Sequence, residues 1–243
     1  MCLSSGGINM LIKSNVNQNE KIPMLGTAYY PEAWDENEQE RDIALMQKAG
    51  LKVVRMAEFA WSKMEPAEGE FHFEWLHGVI DKLEDAGIKV ILGTPSATPP
   101  IWLEEKDPSM MVVYENDCRA QHGARRKNCS NNLTYRKYAA RITEKMAIEF
   151  GADSRVIGWQ IDNEIEPLEN GCFCHACKKK FAEHLRQKYG TIENLNQRWN
   201  LNLWSQNYDK FEQVPMPKSH TFHNPHLMYE WKEFQSDSHV DFV

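Results

Sequence analysis

No run of apolar residues in this sequence approaches the roughly 20 needed to cross a bilayer as a helix. The opening MCLSSGGINMLIKSNVNQNEK is polar and rich in Gly, Asn and Ser. Its apolar stretch is too short for a signal peptide and has no small-residue cleavage site behind it. The expectation is a cytoplasmic chain without a membrane segment, in which residues 1–22 form a flexible tail ahead of a single domain over 23–243. Cysteine is sparse: six in 243 residues do not make a disulfide framework, and in a reducing compartment closely spaced thiols more often hold metal. Positive charge is not in excess either. With 28 Lys+Arg against 35 Asp+Glu, the net charge of -7 favours no polyanionic partner, so nucleic acid is not expected. The short basic groups Arg125, Arg126, Lys127 and Lys178, Lys179, Lys180 lie beside cysteines or acidic helices and read as solvated faces or local anion contacts. Gly-x-Gly-x-x-Gly is missing after the first apolar strand, which argues against a dinucleotide-binding sheet.

What is present is enough apolar and aromatic sequence, 42% and 11%, for one sizeable core. Short β-branched runs at 24–29, 51–56, 88–92 and 155–161 alternate with amphipathic helical patterns. One runs from after Asp35 to Gly50, one over 75–86, and one where Tyr135, Tyr138, Ile142, Met146 and Phe150 recur at three- and four-residue intervals. The strands are apolar without strict alternation, as parallel strands covered on both faces should be. The βα repeat fits an open doubly wound sheet or a (β/α)8 barrel. The long polar and aromatic inserts all follow strand ends, where a barrel builds its active site, and this favours the α/β (β/α)8 TIM barrel. The stretch 101–132 reads as irregular. After Glu166 the sequence turns helical and loop-like, over 178–189, 191–206 and 224–237. Four βα units cannot close eight strands, so the chain is expected to hold roughly the first half of the barrel and to be catalytically incomplete alone.

The segment ending at Glu164, GWQIDNE, is the strongest enzymatic signal, because a buried strand delivers Asn163 and Glu164 at its carboxyl end. Glycoside hydrolysis needs one carboxylic acid to protonate the departing oxygen and a second carboxylate as nucleophile or base. A partly desolvated Glu near that second charge can keep its proton to near neutrality. Asn163 could donate to a sugar hydroxyl. The alternative is that the pair caps a helix or meets a nearby Arg. Glu58 is a further inward or rim carboxylate, or else a buried partner of Arg55; Glu32 and Glu166 are weaker. Tyr29, Tyr30, Trp34, Phe59, Trp61, Trp102 and Trp159 crowd the same strand ends and together suit the flat faces of a sugar, although each singly fits a core.

Cys172, Cys174 and Cys177 put three thiols within six residues. With a fourth thiolate they would make a closed structural zinc site, which leaves no open position for catalysis. Cys129 is the preferred fourth ligand. Cys118 or His175 could take its place, and free thiols or an iron–sulfur centre are the other readings. His220, His223 and His226 have metal-like spacing but lie in Pro/Asn-rich sequence that reads as a surface loop.

Taken together, LGTAYYPEAW, VVRMAEFAWSKMEPAEGEFHFEWL, VILGTPSATPPIWL, GARRKNC, VIGWQIDNE, the CFCHAC knuckle, LWSQNY and NPHLMYEWKEFQSDS, in this order, resemble the glycoside hydrolase family 42 β-galactosidases from about Pro23 onward. The resemblance implies Glu164 as general acid/base, Asn163 and Arg125 as substrate-binding residues, and Cys129, Cys172, Cys174 and Cys177 as ligands of a structural Zn2+. It implies retaining hydrolysis of terminal non-reducing β-D-galactosides such as lactose or galacto-oligosaccharides. A carboxyl group with an ordinary pKa of about 4.3 would need raising for that acid role. The family's nucleophile Glu lies on a later strand, followed by further domains that support a homotrimer. Two local departures stand out: residues 130–132 lack the expected prolines, and Cys118 stands where glycine is common. Two further readings are a related retaining glycosidase of different sugar specificity and an inactive zinc-stabilised, carbohydrate-binding fragment.

Overall fold

The computed structural model describes residues 23–165 and 171–243. Its framework is a parallel sheet laid down in chain order: β1 (Gly26–Ala28), β2 (Val53–Met56), β3 (Lys89–Gly93) and β4 (Val156–Gln160). Thr27 lies opposite Val54, Val54 opposite Val90, and Leu92 opposite Trp159, with a bulge between Val90 and Ile91. The main helices between strands are α1 (Glu36–Lys48), α3 (Glu74–Asp85) and α5 (Leu133–Phe150). Shorter helices α2 (Trp61–Met64) and α4 (Ile101–Lys106) follow β2 and β3, while α6 (His175–Tyr189), α7 (Ile192–Arg198) and α8 (Pro225–Phe242) follow β4.

Local chemistry sets the helix starts. Asp35 accepts from the Glu38 amide at 2.9 Å and Asn132 from the Tyr135 amide at 2.8 Å, each satisfying a donor that a first turn leaves orphaned. Glu36 and Glu38 place negative charge where the α1 dipole is positive.

Ile43 and Met46 of α1, Leu76, Val79, Ile80 and Leu83 of α3, and Ile142, Met146 and Phe150 of α5 form one cluster with Val54, Met56, Val90 and Leu92 of the sheet. The alternate strand positions Arg55 and Ile91 are only half-buried, as are all five residues of β4, and β1 is exposed. Helices therefore seal one face of the sheet while the other stays open, as in four consecutive units of a (β/α)8 barrel. Gly93 ends β3 under a close constraint, because a Cβ there would lie 2.4 Å from Glu58 Cβ.

The strands are shorter than the sequence pattern suggests: β1 takes up only Gly26–Ala28 of the run 24–29 and β2 only Val53–Met56 of the run 51–56. The stretch read as irregular over 101–132 holds α4 and a 3-10 turn at Pro108–Met110. The helical pattern over 191–206 breaks after Arg198, where Asn200, Trp204 and Ser205 take φ of 55°, 61° and 54°. The expected tail over 1–22 and the weaker candidate Glu166 lie outside the described residues. Among those residues no helix is long and apolar enough to cross a membrane.

Candidate active site and cysteine cluster

At the carboxyl end of β4 the backbone makes a tight, strained turn. Asp162 and Glu164 both adopt left-handed conformations, φ 55° and 47°, which a non-glycine residue holds only when its surroundings enforce it. The enforcement is visible. The Asp162 amide donates to Thr94 Oγ1 at 2.7 Å, and the Asn163 amide to Asp162 Oδ1 at 2.8 Å. Gln160 Nε2 donates to Asp162 O at 2.8 Å and to Asn163 Oδ1 at 3.2 Å. Arg126 Nη1 adds bonds to Asp162 Oδ2 at 2.9 Å and Asn163 O at 2.8 Å.

This network separates the two candidate side chains. Asn163 is buried, its oxygen used and its Nδ2 without a partner, so a donor is held ready at the strand end. Glu164 projects outward, its side chain 60% exposed, and pairs at 2.7 Å with Arg125 from the loop after β3. The Arg125 guanidinium sits 5.6 Å from the Phe59 ring, and Phe59 lies 5.5 Å from Tyr30. Arg125, Asn163 and Glu164 thus meet, and Phe59 and Tyr30 extend their rim to the ends of β2 and β1.

The other carboxylates go elsewhere. Glu58 is fully buried and accepts from Arg55 Nε at 2.9 Å, so of its two readings the structure takes the buried pair. Burial, and secondarily the Glu58 charge, raises the pKa of half-buried Glu32. Trp61 is sealed in the core with its indole donating to Glu65, and Trp102 donates to the Glu65 carbonyl at 3.0 Å. Trp61 is therefore not free to act as a sugar platform.

Two residues that the sequence reading did not single out hold the site together. Arg126 belonged to a group read as solvated faces or local anion contacts, and it takes the second part: its side chain is only 20% exposed and pairs with Asp162, which is 3% exposed. The available signal was an Asp two residues before the candidate Glu, with a second Arg beside Arg125.

Directly behind this turn, Cys129, Cys172, Cys174 and Cys177 converge, all buried, with ligand atoms within 4.8 Å of one another. Cys129 Sγ lies 3.4 Å from Cys177 Sγ and 3.5 Å from Cys174 Sγ. Sulfurs on a tetrahedral zinc with bonds of about 2.3 Å stand about 3.8 Å apart, so the quartet fits one such ion after a small expansion. Cys174 also caps α6, accepting from the Cys177 amide at 3.5 Å. Hydrogen bonding within the quartet holds the Cys172 and Cys174 thiols below the usual range and pushes Cys129 and Cys177 above it. The other proposed fourth ligands do not join: Cys118 and His175 are exposed and outside the cluster. His220, His223 and His226 do not converge; His220 pairs with Glu115, His223 accepts from the Lys218 amide, and His226 stacks on Trp199.

Comparison with known proteins gives one consistent picture. The glycoside hydrolase family 42 model, described as β-galactosidase, matches residues 28–243. The chain is 42% identical over 220 residues to the β-galactosidase BgaA of Clostridium cellulovorans, covering 90% of this chain and 33% of the relative. It is 40% identical over 219 residues to the β-galactosidase YesZ of Bacillus subtilis, with 90% and 33% covered. Among solved structures, the polyextremophilic β-galactosidase of the Antarctic haloarchaeon Halorubrum lacusprofundi superposes with a TM-score of 0.85 at 40% identity, over 90% of this chain and 33% of that one. The chain spans about a third of the length of the curated relatives it matches.

Proposed function

Because this chain belongs to glycoside hydrolase family 42, we propose that it carries the acid/base half of a retaining β-galactosidase, with Glu164 as the proton donor. The observation that supports this reading most is the meeting of Glu164, Arg125 and the unpartnered Asn163 amide at the carboxyl end of a parallel strand. In this scheme a terminal β-D-galactosyl group, as in lactose or a galacto-oligosaccharide, enters above β4. Asn163 Nδ2 donates to a ring hydroxyl, and Arg125 moves from Glu164 to the sugar. Glu164 then protonates the glycosidic oxygen while a second Glu, expected on a later strand, attacks the anomeric carbon. In the second half-reaction Glu164 takes a proton from the water that releases galactose.

The quartet Cys129, Cys172, Cys174 and Cys177 would hold Zn2+, which when bound supplies cross-linking only, because four thiolates leave no open position for water or substrate. These residues join the loop after β3, which carries Arg125 and Arg126, to the segment after β4. A cytoplasmic location and a trimer of the complete family length belong to the same reading.

The test uses a chromogenic aryl β-D-galactoside. The purified 243-residue protein is expected to leave it intact. A polypeptide extended with the carboxyl-terminal two-thirds of the Clostridium cellulovorans relative should turn it over. Glu164→Gln in that extended chain should lower kcat by about 10²–10⁴, the usual worth of a positioned general acid. Undiminished turnover in Glu164→Gln would sink the assignment, and a panel with β-glucosides and α-L-arabinopyranosides reads the sugar preference.

A further inference from the structure

Two residues beyond Cys129, a buried carboxamide faces the sulfur quartet. Asn131 is 3% exposed. Its Nδ2 donates to Cys177 Sγ at 3.4 Å and to Ser238 Oγ of α8 at 3.1 Å, and its Oδ1 has no partner. The chemistry decides which end of the carboxamide meets the sulfur. A metal-bound thiolate only accepts hydrogen bonds, so the NH2 group belongs there and the carbonyl oxygen would be repelled.

Four thiolates around one divalent ion leave a net double negative charge in a buried place, which is costly unless nearby dipoles answer it. An N–H directed at one sulfur lowers that charge and fixes the direction in which the sulfur presents its lone pairs. Other buried donors lie nearby, but they are left unpaired and are not bonded to a sulfur. A small cavity of about 40 Å³ beside the quartet is lined by Arg126, Asp162, Gln235 and His239, with Gln235 Nε2 and His239 Nδ1 left unpaired. Water fits there, but Asn131 makes its bond to sulfur directly.

We propose that Asn131 is a positioning residue of the metal centre, an N–H···S donor that orients Cys177 and raises the affinity of the quartet for zinc. The proposal rests on the reading of the four cysteines as a zinc site. It differs from a packing role for Asn131, in which the bond to Ser238 would be the one that counts.

The test titrates the purified 243-residue protein with Zn2+ alone, in competition with a chromogenic chelator, and records the sulfur-to-metal charge-transfer bands of the Co2+ form. Asn131→Leu should keep one ion per chain, bind it about tenfold or more weakly, and shift the Co2+ bands, within the 10- to 100-fold typical of outer-shell partners. Asn131→Asp, which keeps the shape but turns an acceptor toward the sulfur, should lose still more. Ser238→Ala removes the second bond only and should stay within about twofold of the parent. Parent-like affinity and spectra in both Asn131 variants, or an equal loss in Ser238→Ala, would overturn the proposal. Should the parent protein take up no zinc, with Cys177→Ser indistinguishable from it, the zinc reading falls and this inference with it. Zinc uptake by the parent without an Asn131 effect sinks the inference alone.

Discussion

Arg125 and Arg126 are adjacent in sequence and opposite in use. Arg125 and Glu164 are both largely in solvent, so their pair contributes little to stability and is free to exchange for a ligand. Arg126 answers the charge of Asp162, which has almost no solvent of its own. Arg126→Met should therefore destabilise the fold by about 2–4 kcal/mol, near the cost of stranding a buried charge. Arg125→Met should cost under about 1 kcal/mol. Urea melts of the two variants check the contrast, and equal losses would contradict it. Sequence alone could not make this distinction, because it depends on which guanidinium reaches back under the turn. The same holds for residues 130–132, where the resemblance leads one to expect prolines. Asn132 there caps α5 and Asn131 donates to Cys177, so the polar replacements have work of their own.

Glu32 gives a pH-dependent consequence at the same scale. Burial raises its carboxyl pKa above the ordinary 4.5. A raised folded-state pKa means that stability from this group is fully present below the unfolded value and is lost as pH rises through the folded one. Glu32→Gln should remove that downward contribution, so that stability climbs more steeply with pH through the window and the protein is more stable at neutral pH than the parent. An unchanged profile in denaturant melts across that range would refute this.

Among the elements, the helices with strong signals were legible: α1 from Asp35 to Gly50 and α5 from its apolar spacing. The short α2 and α4 were not, since one turn leaves too little periodicity to read and packing decides it. The helix following the knuckle is the informative case, because Cys174 both caps α6 and belongs to the quartet. Ser is a better N-cap than Cys, so Cys174→Ser separates the two duties. Without metal, Cys174→Ser should stay within about 1 kcal/mol of the parent. With zinc present, the parent should gain thermal stability through linkage and Cys174→Ser should gain much less. Thermal melts with zinc and with a chelator read both arms; equal zinc stabilisation of the two proteins would remove Cys174 from the metal set.

For the molecule as a whole, the sequence favoured a barrel over an open doubly wound sheet from the position of its long inserts. The structure agrees in the sequential strand order and in the single sealed face. What strand patterns could not show is how little of the inner face is covered: Arg55 and Ile91 stay half-buried and Ile161 is 49% exposed. In parallel strands amides alternate between neighbours, so those of β4 turned away from β3 have no strand partner among the described residues. Hydrogen exchange should find these amides fast in the 243-residue protein and slow in the extended polypeptide proposed above. Equal protection in the two would argue against barrel closure at this edge.

Strand order equal to chain order also has a meaning in time. As the polypeptide leaves the ribosome, each new strand can dock on the one just laid down, with no earlier piece waiting for a distant mate. The sulfur quartet is the exception. Cys129 emerges 48 residues before Cys177, and β4 lies between them. The fourth ligand therefore arrives only after the last of these strands has been made, so full tetrahedral capture of an ion would seal the half-cylinder after its assembly rather than seed it.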